Sequence, residues 1–515
     1  MVQELEVKDD SILLSYMLKR MQEIIPEYVN NGRNRTKPVI DYHKPEELKK
    51  LIDLHLPDNG MGIEDCMDIV ELALQYNPNS WNPAFLDKLY SGTNPIGVIS
   101  ELLLGVSNAN AHVYHVSPVF TLMEMEVTRN LAHLFGLGES AGGIFCPGGS
   151  ASNQLALITA RNYLFPCIKD KGYFPKPYFP NSRYGRLVAF TSAHGHYSIV
   201  KAAVMMGLGK ESVVAVPVDP LTGKMDAAEL ERLIKESIKR NETPFFVNAT
   251  SGTTVLGAFD PLRSISSVCK KYGCWLHVDG SWGGSVIFSP KHKHLLDGSE
   301  LADSITINAH KLLGVPLQCS CVIARDRQIF SASNSLNAEY LFHGNSYDLG
   351  DGTIGCGRRP DAVKFFLSWR FYGSNGFAER IELAFTRARY LSHLIEKAEP
   401  QGFCLVTQPQ SLQVCFWYIP PQLQLPSGFE KIDRAKWSFI LTQLTCEIHR
   451  RIRHFGEFMI DYSPLPPPAE IPPFFRVVIN QPSVTEIVLE TLVEHIKLVG
   501  DNLGEPFYEK LRHDI

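Results

Sequence analysis

The 515-residue chain is defined first by what it has little of. It carries no excess of positive charge: the formal net charge is -5, so an electrostatic footprint for nucleic acid is not expected. Its eleven cysteines make no CxxC pair with zinc-like spacing, and several lie in apolar runs, where Cys acts as a small hydrophobe. A reducing compartment follows. No apolar run reaches the ~18 residues that span a bilayer. The first residues, Met1 to Glu6, are acidic and lack the basic and apolar regions of a signal peptide. The expectation is therefore a cytoplasmic enzyme without a membrane or nucleic-acid partner. Low-complexity sequence is confined to Ser463–Pro468, and no internal repeat is present. Hydrophobic content of 44% and charged content of 20% are those of an ordinary globular chain.

The pattern along the chain then divides it. Residues 1–95 read as mainly helical, with amphipathic stretches over Glu46–Leu56 and Glu64–Tyr76. From about 96 to 368, strands and helices alternate. The helix Val119–Leu137 is followed by strands at Gly143–Phe145, Leu187–Thr191, Val213–Val218 and Phe245–Val247. Helices are expected at Ser150–Phe165, Asp226–Arg240 and Pro261–Tyr272 between them. Such alternation predicts an α/β fold with a mostly parallel sheet and right-handed crossovers. Residues 369–515 read as a smaller α+β domain, with strands at Gln413–Tyr418 and Phe474–Ile479 and helices near 379–397, 437–455 and 484–503.

Two residues stand out against this frame. Asp279 follows the apolar run Cys274-Trp275-Leu276, and Lys311 follows Ser304-Ile305-Thr306-Ile307. Ligands of parallel sheets bind at the carboxyl ends of strands, where both fall. A lysine is usually a solvated charge, but Leu312-Leu313-Gly314-Val315 after Lys311 favours burial, which lowers an amine's pKa. A buried amine beside a buried carboxylate is what pyridoxal phosphate chemistry needs. The amine condenses with the cofactor aldehyde, and the carboxylate keeps the pyridine nitrogen protonated.

Other strand ends support this. In Cys146-Pro147-Gly148-Gly149-Ser150, glycines admit an anion to a helix N-terminus, although a tight turn capped by Ser150 explains the same residues. Thr250-Ser251-Gly252-Thr253-Thr254 offers hydroxyls to a cofactor, or simply forms a turn. His194 and His196 follow the strand that ends at Thr191, and an imidazole there could stack on a ring.

Several ordered strings carry a family resemblance: Asn248 to Pro261, His277-Val278-Asp279-Gly280-Ser281-Trp282-Gly283-Gly284, His310-Lys311, Pro316 to Ser320, Cys356 to Asp361, Val414 to Pro420 and Phe474-Phe475-Arg476. From about residue 80 to the C-terminus the chain resembles the group II pyridoxal phosphate decarboxylases. The nearest branch holds glutamate, cysteine sulfinate and acidic-amino-acid decarboxylases. The resemblance implies a fold-type I homodimer. It further implies that Lys311 carries the cofactor, Asp279 meets its pyridine nitrogen and His196 stacks on its ring. Phosphate contacts from Gly149, Ser150 and His310 are implied, with Cys356-Gly357 reaching in from a second subunit. Tyr462, in a mobile loop, corresponds to the tyrosine that protonates Cα after carbon dioxide leaves.

The chain departs from the family at Ala309, where proline is usual, and at Gly280, where alanine is usual. The loop after Tyr462 is richer in proline, and the stretch before Gly350 is shorter. In the substrate pocket, Tyr90 of Leu86-Asp87-Lys88-Leu89-Tyr90 adds bulk, while Lys88, His112 and Arg476 add positive charge. Aspartate or cysteine sulfinate is thus expected slightly ahead of glutamate. An aromatic-amino-acid decarboxylase is disfavoured by that charge, because desolvated cations need a partner. A catalytically inactive binding protein is disfavoured by the joint presence of Lys311, Asp279, His196 and Tyr462.

Overall fold

The computed structural model describes residues 10–174, 184–342, 346–423, 434–465 and 471–513. Among these, seven strands form the large sheet: β1 (Gly142–Cys146), β2 (Leu187–Ser192), β3 (Val213–Val216), β4 (Thr243–Thr250), β5 (Trp275–Gly280), β6 (Ser304–Asn308) and β7 (Ser320–Ala324). Their order is β1-β7-β6-β5-β4-β2-β3. The pairs β2/β3, β2/β4, β4/β5 and β5/β6 are parallel. β7 runs antiparallel to both β1 and β6. The reason is local: segment 309–319 contains no crossover helix, and a parallel return requires one. Strands β1, β2 and β5–β7 are buried along their whole length, as sheets covered on both faces are.

The α/β expectation therefore stands. Most elements lie within a few residues of their expected bounds, such as Ala227–Lys239 capped by the Asp226 carboxylate and Leu262–Tyr272 ended by Gly273. Three differences have physical causes. The expected helix over Glu46–Leu56 stops at Leu51, because Pro57 disfavours helical backbone before it and Leu54 and Leu56 find no core. A helix over Ala362–Lys397 runs through the expected boundary at 368/369, breaking at Gly373, whose φ of 67° favours glycine. A second, smaller sheet contains four antiparallel strands, β8 (Phe403–Leu405), β9 (Gln413–Tyr418), β10 (Asp461–Ser463) and β11 (Phe474–Val478), in the order β10-β11-β9-β8. The short β8 and β10 carry too few residues for a period-2 signal.

The N-terminal helices Asp10–Arg33 and Ile63–Tyr76 lead into segment 80–95, which is irregular up to the helix that begins at Pro95. This segment joins the small sheet. Leu86 donates its N–H to the Met459 carbonyl at 2.8 Å, and Val478 donates to the Leu86 carbonyl at 2.9 Å. Asp87 and Lys88 are thereby held beside β10 and β11. Gln413 on β9 couples the two sheets: its amide donates to the Thr253 carbonyl at 3.1 Å and accepts from the Trp282 indole at 3.1 Å.

Candidate active site

The carboxyl ends of β4, β5 and β6 open onto a cavity of about 320 Å³. The helix Gly149–Leu164 begins at its wall. Gly149, Ser150, His196, Thr250, Asp279, His310 and Lys311 all line it. Seven residues singled out from dispersed motifs thus meet in one place, because parallel strands deliver all their C-terminal loops to one edge.

Asp279 is buried, and its carboxylate accepts from the Asn153 amide at 2.8 Å and from the Ser281 N–H at 3.0 Å. Burial works against its charge. Hydrogen bonding by Ser281, together with His196, Lys311 and His277, outweighs burial, so the carboxyl sits below its usual range. The Lys311 pKa is lowered as well: burial disfavours the ammonium, and Asp279 opposes this only in part. The Lys311 segment is held by Arg380, which donates to the Leu312 carbonyl at 2.6 Å and to the Asn480 carbonyl at 2.9 Å. Burial likewise lowers His196, and it lowers His310 to about 4, so His310 is neutral at neutral pH. The His310 ring is fixed through Nδ1, at 2.9 Å from the Cys319 amide. His194 takes no part in the cavity and lies instead against the Gly223 turn.

The cavity fits pyridoxal phosphate. Gly149 lies where a Cβ would meet the Ser281 hydroxyl at 2.6 Å and the Asn308 amide at 2.8 Å, so only glycine lets these two polar side chains close on the start of the helix at the cavity wall. The first N–H groups of its helix have no acceptor within the helix. The Thr250 hydroxyl is buried without a hydrogen-bond partner, although its own N–H is anchored on Asp260 at 2.7 Å. A phosphate needs such donors, and a pyridinium needs an ionised carboxylate like Asp279. Asn153, Ser281, Trp282 and Gln318 also line the cavity. They were not singled out from sequence, since a lone Asn, Ser, Trp or Gln has no distinguishing spacing.

The comparisons with known proteins agree with this geometry. Residues 45–419 match the family described as the pyridoxal-dependent decarboxylase conserved domain. The chain belongs to that family and is a carboxy-lyase that uses pyridoxal phosphate. It is 42% identical over 468 residues to an L-aspartate decarboxylase of Metarhizium robertsii, covering 90% of this chain and 88% of that one. It is 38% identical over 486 residues to the cysteine sulfinic acid decarboxylase of Rattus norvegicus, covering 93% and 94%. The crystal structure of mouse CSAD superposes with a TM-score of 0.89 at 37% identity, over 96% of this chain and 100% of that one.

The remaining sequence-derived residues lie elsewhere, and two expectations need correction. Lys88 and Arg476 are expected to add positive charge to the substrate pocket. Instead the Lys88 ammonium lies 2.9 Å from Asp87 and 3.2 Å from Asp461. The Arg476 guanidinium lies 2.8 Å from Asp461 and also donates to the Asp87 and Thr254 carbonyls. Two cations thus face two carboxylates. The cause is register, since Asp461 on β10 stands directly opposite Arg476 on β11. Tyr462, expected in a mobile loop, is on strand β10. Its ring packs edge-on against His449 at 4.8 Å, and the neighbouring Cys446 thiol raises its pKa. Residues 466–470 of the proline-rich loop lie outside the described residues.

Tyr90 is partly exposed, stacks at a tilt on Phe85 at 5.6 Å and does not line the cavity. His112 and the Cys356-Gly357 segment come together away from the cavity. The Gly350 N–H donates to the His112 carbonyl at 3.0 Å, and the Arg358 N–H donates to Asn110 at 2.9 Å. Cys356 is exposed.

Proposed function

We propose that this enzyme removes the α-carboxylate of a small acidic L-amino acid, with aspartate or cysteine sulfinate slightly ahead of glutamate. The observation that carries the substrate class is the similarity to an L-aspartate decarboxylase and a cysteine sulfinic acid decarboxylase over nine-tenths of the chain. Lys88 and Arg476 contribute no net charge to this choice, because Asp87 and Asp461 offset both.

Bound pyridoxal phosphate supplies an aldehyde and a ring that accepts electrons. The residues divide the remaining work. Lys311 would hold the aldehyde carbon, and burial, which lowers its pKa, favours the free amine that this needs. Asp279 holds a proton on the pyridine nitrogen. His196 would cover the ring face, while Gly149, Ser150, Thr250 and His310 would hold the phosphate. Tyr462 is assigned the return of the proton to Cα. We place the enzyme in the cytoplasm as a homodimer, with the exposed Cys356-Gly357 segment completing the partner's site. No helix among the described residues is long and apolar enough to cross a membrane.

The test is kcat/KM for aspartate, cysteine sulfinate, glutamate and an aromatic amino acid, with the amine products identified. Preference for either shorter acid, with β-alanine or hypotaurine released, is the expected result. Preference for the aromatic substrate overturns the substrate reading and leaves the family assignment in place.

A further inference from the structure

Behind Asp279 lies a chain of polar side chains in the large sheet. Trp275, His277 and Asp279 occupy alternate positions of β5 and so share one face. Ser304 on β6 is the register partner of His277. The Trp275 indole lies 2.8 Å from the Ser304 hydroxyl, which lies 2.8 Å from His277 Nδ1. His277 Nε2 lies 3.1 Å from the Asn153 amide oxygen, and the Asn153 amide nitrogen lies 2.8 Å from Asp279 Oδ2. All five side chains are buried, and His277 is 0% exposed.

Donor counting fixes the direction of every bond. An ionised Asp279 can only accept, so Asn153 donates to it and turns its oxygen to His277 Nε2, which carries the proton; the neutral ring accepts at Nδ1 from Ser304, whose oxygen accepts the indole N–H. His277 is then protonated on Nε2 and donates to the Asn153 oxygen. Burial lowers its pKa to about 4, so it stays neutral at pH 7. Asn153 is left with its amide protons directed to Asp279 and to the Ser198 hydroxyl at 3.0 Å. A flipped Asn153 would set its oxygen against the carboxylate.

We propose that Trp275, Ser304, His277 and Asn153 form a one-way hydrogen-bond relay that presents Asp279 to the pyridine nitrogen as an oriented, ionised carboxylate. His277 is its positioning residue. The relay rests on the family's cofactor and not on the substrate reading.

The test compares His277→Gln with His277→Asn. A glutamine amide reaches the place of Nε2 and still donates to Asn153, whereas an asparagine amide reaches only the place of Nδ1. Cofactor-free protein is titrated with pyridoxal 5'-phosphate, and Tm is recorded before addition. His277→Asn should weaken cofactor binding roughly ten- to hundredfold, the effect of losing a hydrogen bond toward a charged group, while His277→Gln should stay near wild type. Asn153→Asp keeps the contact with His277 but cannot donate to Asp279, and it should weaken binding like His277→Asn. A purely structural role would lower the cofactor-free Tm of all variants and leave the two His277 variants with equal affinity, which overturns the proposal. If residue 277 does not tolerate exchange, Ser304→Ala decides: weaker cofactor binding supports the relay, and unchanged binding refutes it.

Discussion

Asp461→Asn tests the corrected view of the charged cluster. In the folded protein the Asp461 carboxylate is 2.8 Å from Arg476, which is only 5% exposed. At an effective dielectric of about 20, that separation is worth roughly 6 kcal/mol of attraction before desolvation. The asparagine oxygen retains one neutral hydrogen bond, and the carboxylate no longer has to be desolvated. The net loss should therefore be about 2–3 kcal/mol, below the ~3–5 kcal/mol of a fully buried pair left unpartnered. The half-exposed Lys88 pair adds little. The formal charge of Asp87, Lys88, Asp461 and Arg476 changes from zero to +1. Selectivity for aspartate over a neutral amino acid should rise, most of all at low ionic strength. Urea unfolding of the holoenzyme and kcat/KM at two salt concentrations are the assays. Stability within about 0.5 kcal/mol of wild type, an ordinary surface effect, with unchanged selectivity would refute the cluster.

Further outcomes follow from other sites. Burial raises the carboxyl of Asp260 to about 7, even though it accepts from the Met225 and Thr250 N–H groups. The folded state then holds a proton that the unfolded state releases, so this group stabilises below pH 4 and its contribution falls between pH 4 and 7. The whole effect is at most roughly 4 kcal/mol. Asp260→Asn should flatten the pH dependence of stability over that window, and an unchanged slope would count against the buried acid. Tyr462→Phe should slow decarboxylation by about 10²–10⁴-fold if Tyr462 is the proton donor; wild-type turnover would assign that proton to another group. Tyr90→Ser should leave the ratio of kcat/KM for aspartate and glutamate unchanged, since Tyr90 packs on Phe85 outside the cavity. A shift of the ratio toward glutamate, within the ~10–200-fold that one methylene is worth, would return Tyr90 to the pocket.

Residues at the carboxyl ends of parallel strands were legible in the sequence. Asp279, Lys311 and His196 follow recognisable strands, and the topology gathers such ends without further information. Gly149 was legible for a related reason, since a glycine pair between strand and helix has few uses. Pairings across long separations were not legible. Nothing near Arg476 in the sequence signals Asp461 as its antiparallel neighbour, and nothing near Lys88 signals that segment 80–95 packs on the small sheet. Tyr462 was misplaced because a three-residue edge strand next to prolines reads as loop. His277 was visible only as part of a string; its role depends on Ser304 and Asn153, which arrive from another strand and a helix.

The central claim is that Lys311 holds pyridoxal phosphate and that decarboxylation depends on it. Borohydride reduction of the holoenzyme, proteolysis and mass analysis test this directly, with carbon dioxide release from aspartate followed in wild type and Lys311→Ala. The reduced cofactor should appear on the peptide containing Lys311, and the variant should show no turnover. Cofactor attached to another lysine, or carbon dioxide released at the wild-type rate by Lys311→Ala, would contradict it.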